Sequence, residues 1–351
     1  MLESAIPEYL RVPRTQPLNT PPSYEPPFPA YTARFPQNIK DIVMVVIGAQ
    51  SFSILDKASV APLLSIVQQE VDSKPSYWEP TSVKDSSGAH NIAVIAYWQS
   101  KEAYLKWCSA SGFDEWWASL DPEAEQHGWF REVFVPPVER FETVFSDNVK
   151  PEGAAHMREK ISGPIQEHVY WGSMRDRLAA TQTDSLVGEM QHTEVQESNA
   201  PAKQRIRIPG KQNLCIIRSG QDWSDTRPEE RKLYLNTMHP VLTKGMTFLR
   251  DHGGEVGCYS CRFMEVLDLS TLDSGTDKTF GLAFFNDLSS LESWSREHKT
   301  HLDIFGGFLK YARELKNNIS LRLFHEVLVL QPDQQLFEYI NCHPGTGMLV
   351  T

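Results

Sequence analysis

Two pieces of this chain, far apart in sequence, lie over one another, and the match extends to individual residues. "AYWQSKEAYLKW" (96–107) matches "AFFNDLSSLESW" (283–294), "GWFREVFV" (128–135) matches "SLRLFHEVLV" (320–329), and "VIGAQ" (46–50) matches "IRSGQ" (217–221). Self-similarity of this kind is the mark of one supersecondary unit built twice. With 351 residues to distribute, each copy has enough chain to bury a core of its own.

In the first copy, alternation predicts strands over Ile42–Ala49, Asn91–Trp98 and Gly128–Val135. Helical spacing predicts an amphipathic helix over Val60–Val71 and a Trp-rich one over Ser100–Leu120. Pro136 and Pro137 stop the third strand, and Glu139–Phe145 begins a connection. The second copy repeats this with strands over Asn213–Arg218, Thr279–Phe285 and Ser320–Leu330, and helices over Glu229–Asp251 and Leu288–Leu315. Each copy is a β-α-β-β-α-β-like unit with an antiparallel sheet, so the fold class is α+β, and two such sheets can share one apolar interior. Around the copies, residues 1–40 form a Pro-rich arm that cannot be helical and whose aromatics suit packing on the body or on a partner subunit, with a loose tail as the alternative. The chain then divides into a first repeat over 41–150, a connecting segment over 151–206, a second repeat over 207–335 and a tail over 336–351. The polar stretch from Gln182 to Arg205 reads as a surface loop or linker.

The second copy holds two histidines where the pattern asks for apolar side chains. Leu288, Leu291, Trp294, His298, His301, Leu302, Phe305 and Phe308 recur at helical spacing behind a Ser289/Glu292 capping box, which puts His301 on the buried stripe. Leu321, Leu323, His325, Val327 and Val329 share one face of a strand. One histidine on an apolar face is usually a hydrogen-bonded core residue. Two on consecutive elements, facing one interior, are what a haem pocket requires: one imidazole to hold iron and one to act as acid and base on the open side. His298, one turn before His301, is the rival ligand.

The repeat supplies an internal control. The first copy has Asp114 where the second has His301, Arg131 where it has His325, and Gly48 where it has Ser219. All three polar candidates occur once only, which points to one active half and one scaffolding half. Ser219 sits at the predicted strand end in "CIIRSGQDW", where a hydroxyl can face a cavity mouth; the plainer alternative is a turn-forming Ser before Gly220. Arg175 and Arg177, in the aromatic segment "HVYWGSMRDR" (168–177), suit haem propionates or a polar substrate end, or else form a surface ion-pair cluster. Glu142, in "ERFETV", can pair with an Arg or support a distal histidine, or lie solvated in a loop.

Composition narrows the partners. A net charge of -11 and a pI near 5.5 argue against nucleic acid or an anionic membrane and favour a small uncharged substrate. No apolar run suits a signal peptide or a bilayer span, and five scattered cysteines suit reduced thiols, so a soluble cytoplasmic protein is expected. Cys258 and Cys261 form a C-x-x-C, but a zinc site would need two further ligands at a recognised spacing. Neither a nucleophile elbow nor a phosphate-binding Gly-rich loop with its Lys is present.

Taken together, "YWGSMRDR" (170–177), "IRSGQDW" (217–223), "THLDIF" (300–305), "LFHEV" (323–327) and "FEYINCHPGTGM" (337–348) resemble the haem-containing aldoxime dehydratases over essentially the whole chain, the "PPSYEPPFPAY" arm included. The resemblance implies a haem b lyase, active with ferrous iron, that removes water from an aldoxime to give a nitrile. It also implies a dimeric α+β barrel with two ferredoxin-like halves per chain, working as a homodimer. By the same resemblance His301 is the proximal iron ligand, His325 the distal acid/base acting first as imidazolium, and Ser219 the group that orients the oxime hydroxyl. Arg177 and Glu142 match distal-site residues. A peroxidase or chlorite-dismutase-like haem enzyme, or a cofactor-free ferredoxin-like ligand-binding protein, are the alternatives.

Overall fold

The structure is a computed structural model and describes residues 2–55, 57–189 and 203–350. The first copy comprises β1 (Ala33–Arg34), β2 (Val43–Ser51), α1 (Lys57–Val67), β3 (Tyr77–Lys84), β4 (His90–Trp98), α2 (Lys101–Ala110), α3 (Phe113–Ser119) and β5 (Gly128–Phe134). Next come β6 (Phe141–Phe145), β7 (Lys160–Ile161) and β8 (Arg205–Ile208). The second copy comprises β9 (Leu214–Asp222), α4 (Pro228–Leu233), α5 (His239–His252), β10 (Cys258–Val266), β11 (Lys278–Phe285), α6 (Leu288–Glu297), α7 (Lys299–Glu314) and β12 (Arg322–Leu330), and β13 (Gln335–Ile340) follows.

Apart from the small β1–β7 ribbon, the described strands form one antiparallel sheet in the order β6-β12-β9-β11-β10-β3-β4-β2-β5-β13-β8. Each copy contributes four neighbouring strands in the same relative order, β5-β2-β4-β3 and β12-β9-β11-β10. The copies meet where Thr81 and Ser82 of β3 pair with Val266 and Glu265 of β10. The sheet curls so that one face of both copies encloses a common core, with Met44, Ile95 and Phe134 from one side and Phe280, Phe284 and Phe324 from the other. The opposite faces are covered separately, by α1, α2 and α3 in the first copy and by α5 and α6 in the second. Strands such as β2, apolar on both faces, are what a central layer between two cores demands.

Two segments depart from the expected parsing, and they do so reciprocally. Residues 141–145, expected as a connection, form β6 and pair with β12 of the second copy. Residues 335–340, expected to open a tail, form β13 and pair with β5 of the first. Their apolar alternation finds partners only across the chain, and the pairing satisfies backbone groups that would otherwise be orphaned at sheet edges.

The long predicted helices are also interrupted. Gly112, at a left-handed φ of 74°, separates α2 from α3. His298, in extended conformation, ends α6 and caps α7. A π-helical turn over Tyr234–Met238 joins α4 to α5. The N-terminal arm lies on its own chain: the Ala5 amide donates to the Glu167 carboxylate at 2.7 Å, Tyr31 pairs with Phe145, and Phe28 meets Phe308 edge-on at 5.4 Å. Of the predicted polar loop, 190–202 lies outside the described residues, while buried Gln182 donates to the Leu10 carbonyl at 2.8 Å and so helps hold the arm.

Candidate active site

Along β9, Ile217, Ser219 and Gln221 alternate onto the helix-covered face, and along β12 Leu321, Leu323 and His325 do the same. Register places Ser219 directly opposite His325, and Ser219 Oγ lies 2.9 Å from His325 Nε2. β9 does not end at Arg218 but runs on to Asp222, so Ser219 is a mid-strand residue and the turn alternative falls. Gly220 is glycine for want of space: a Cβ there would sit 1.9 Å from the Phe324 ring.

These side chains, with Tyr170, Trp171, Tyr234, Met246, Trp294, His301, Ile304 and Phe305 among others, line a cavity of about 1050 Å³ counted out to its mouth. The wall is overwhelmingly apolar, and among the described residues no Lys or Arg belongs to it. His301 enters from α7, with its ring edge-on to Trp294 at 4.8 Å. Its Nδ1 has no hydrogen-bond partner, and burial pulls its pKa down to about 4. Leu302 and Phe305, expected to continue a buried stripe, are 47% and 40% exposed, so the helix is less deeply seated than its pattern implied.

His325 is half-buried, its ring edge turned to the cavity. Trp171 packs on the ring at 4.8 Å, and Nδ1 is unpartnered. Burial holds its pKa well below the ordinary imidazole value, and Arg177, His301 and His168 push the same way.

The R-D-R motif is a three-way clamp. Arg175 pairs with Glu292 (2.8 Å) and donates to Ser289 Oγ (3.1 Å) and the Ser185 carbonyl (2.8 Å), so it anchors α6 and does not reach the cavity. Arg175, expected at a propionate, has these partners in the structure. The expected capping box is corrected: Asp287 caps α6, and Ser289 and Glu292 serve Arg175. Asp176 accepts from the amides of Asn19 and Thr20, pinning the arm. Arg177 forms a two-pronged ion pair with Glu142 of β6 (2.8 and 3.2 Å) and donates to the carbonyls of Glu167 and Trp171 and to Ser173 Oγ. Neither Arg177 nor Glu142 lines the cavity; the pair fixes the loop that lays Trp171 on His325. Trp171 was missed in the sequence, though it adjoins the motif. His298 caps α7, its ring stacked on Phe248 at 4.1 Å and outside the cavity wall, which leaves His301 as the histidine that α7 presents.

The equivalent face of the first copy is filled. Arg131 lies 4.9 Å over Phe113, its guanidinium donates to Tyr104 Oη at 2.8 Å, and Trp98, Trp107 and Trp117 pack around the same cluster. Asp114 is exposed, and a Cβ on Gly48 would sit 2.5 Å from the Phe130 ring.

A family model described as haem-containing dehydratase matches residues 45–348. The chain belongs to that family. Among relatives of this haem-containing dehydratase, an aliphatic aldoxime dehydratase of Pseudomonas chlororaphis is 41% identical over 99% of the chain and 98% of its own length. One from Rhodococcus erythropolis is 38% identical, again over 99% and 98%. A phenylacetaldoxime dehydratase of Bacillus sp. (strain OxB-1) is 31% identical over 94% and 93%. A crystal structure of an aldoxime dehydratase in complex with butyraldoxime superposes with a TM-score of 0.89, at 37% identity, covering 99% of this chain and 96% of that one.

Proposed function

We propose that this family member dehydrates aldoximes, R-CH=N-OH, to nitriles at a haem b held on His301, with His325 as the acid/base and Ser219 as its partner. The observation that carries this reading is the pairing of two half-buried imidazoles, each with an unpartnered Nδ1, across one apolar cavity. Buried polar atoms without partners are costly unless a ligand completes them, and a wall this apolar suits a porphyrin. The relatives named above support the substrate class.

Hydroxide leaves poorly, so N–O cleavage needs a proton on the oxygen. When bound, haem iron supplies electron density to the oxime nitrogen, most effectively in the ferrous state. His325 as imidazolium, steadied by Trp171 and hydrogen-bonded to Ser219, passes a proton to the oxime oxygen, which departs as water. Ser219 holds the hydroxyl in line. The His325 ring, now short of a proton, takes the aldehydic C–H proton, and the nitrile is complete with His325 restored. Arg177 and Glu142 act through the Trp171 loop as positioning residues.

The same reading extends to architecture: two ferredoxin-like halves, the first scaffolding and the second haem-binding, in a cytoplasmic homodimer. The shared strand order of the two copies supports the first part; sedimentation of the purified protein tests the dimer. For the activity, the test is a reduced-minus-oxidised spectrum followed by anaerobic addition of an aldoxime with dithionite. Nitrile formation is expected. Peroxide consumption without nitrile, or a colourless protein from haem-sufficient cells, would overturn the assignment.

A further inference from the structure

At one end of the cavity, beyond Gln221 on β9, lies a small group of polar side chains that the proposed reaction leaves unused. Tyr234 is in the cavity wall and buried, and its hydroxyl has no hydrogen-bond partner. Trp223, just past the end of β9, packs on Tyr234 at 5.2 Å between ring centroids; it too is buried, and its indole N–H is unpartnered. His239 closes the group, 5.9 Å from Tyr234 and 5.7 Å from Trp223. Leu321 and Tyr311 seal its back as apolar neighbours. Tyr234 opens the π-helical turn, an irregularity common where a side chain must be aimed at a ligand.

A buried donor without an acceptor costs stability, and unlike the unpartnered indoles of Trp107 and Trp117 in the filled first copy, Tyr234 lines a cavity that can supply one. Tyr311, the other buried tyrosine of this cluster, donates to Glu230 at 3.0 Å, so the cluster itself does not prevent a phenol from finding a partner. Burial raises the Tyr234 pKa, which keeps the phenol protonated and a donor at any working pH. What the pair lacks is an acceptor, and the cavity's proposed occupant carries two carboxylates for which the wall offers no Lys or Arg.

We propose that Tyr234 Oη, backed by Trp223 Nε1, receives one carboxylate of the bound porphyrin and so fixes the rotation of the macrocycle in the cavity. Neutral donors hold the charged form of a carboxylate by hydrogen bonding alone, without an ion pair. This inference rests on the haem reading given above and assigns a contact that Arg175 was expected to make.

The test compares loss of porphyrin to an excess of a haem-scavenging protein for wild type and Tyr234→Phe. Each is loaded once with haem and once with haem dimethyl ester, whose carboxylates are masked. Tyr234→Phe is expected to release haem about tenfold faster than wild type and to release the diester at the wild-type rate. Trp223→Phe should show the same pattern more weakly. Equal haem release by wild type and Tyr234→Phe overturns the proposal. So does an acceleration of the same size with the diester, because the phenol would then serve packing rather than the carboxylate. Failure of the wild type to bind either porphyrin would instead strike at the haem reading itself.

Discussion

Ser219 Oγ and His325 Nε2 are 2.9 Å apart across directly opposed positions of β9 and β12. Because backbone register holds both residues, the hydrogen bond does not depend on a mobile loop, and the two groups act as a unit. His325→Ala should retain haem and bind oxime while kcat falls by ~10²–10⁴. Ser219→Ala should cost about tenfold, and the double variant should be little worse than His325→Ala alone. Steady-state kinetics under anaerobic, reduced conditions would show it. Additive losses would mean that the serine works independently of the histidine.

His301→Ala should purify without a Soret band, whereas His298→Ala should keep one, since His298 spends its ring on Phe248 and Thr300. Absorbance spectra of the two variants decide between them. Normal haem content in His301→Ala would place the ligand elsewhere.

The Arg177 and Glu142 side chains are 1% and 2% exposed. Arg177→Gln leaves a buried carboxylate without its cation and should destabilise the fold by about 3–5 kcal/mol, measured by denaturant unfolding. Activity should fall in the folded fraction as well, through loosening of Trp171. A variant of unchanged stability would contradict so complete a burial.

Three histidines near the cavity have depressed pKa values: His301 at about 4, His168 at about 3, and His325 well below its ordinary value, in each case chiefly through burial. In the unfolded chain each protonates near pH 6.5. Between that value and the folded-state pKa, the unfolded chain therefore holds more protons, and stability falls as pH falls. Apoprotein melting points should be level above pH 7 and decline from about 6.5 toward 4. His168→Asn should flatten that decline. A wild-type melting point indifferent to pH across this window would sink the account.

That His301 and His325 face one cavity was legible in the sequence because strand alternation and helical spacing are local, and a histidine on an apolar face stands out against them. The pairing of Arg175 with α6 was not legible, because it depends on how a short 3₁₀ turn packs against that helix, which no periodicity records. β6 and β13 were misjudged for a related reason. Five or six residues of alternating pattern become a strand only when a partner edge is available, and both partners lie far away in sequence. The breaks at Gly112 and His298 were hidden by apolar spacing that continues across them.

The exchanged edge strands have a consequence for inheritance. A gene severed between the repeats would yield two products, each lacking the strand that it borrows from the other and each offering a bare ladder in its place. Neither half can be discarded, and drift in one is policed by the edge it must present to its twin.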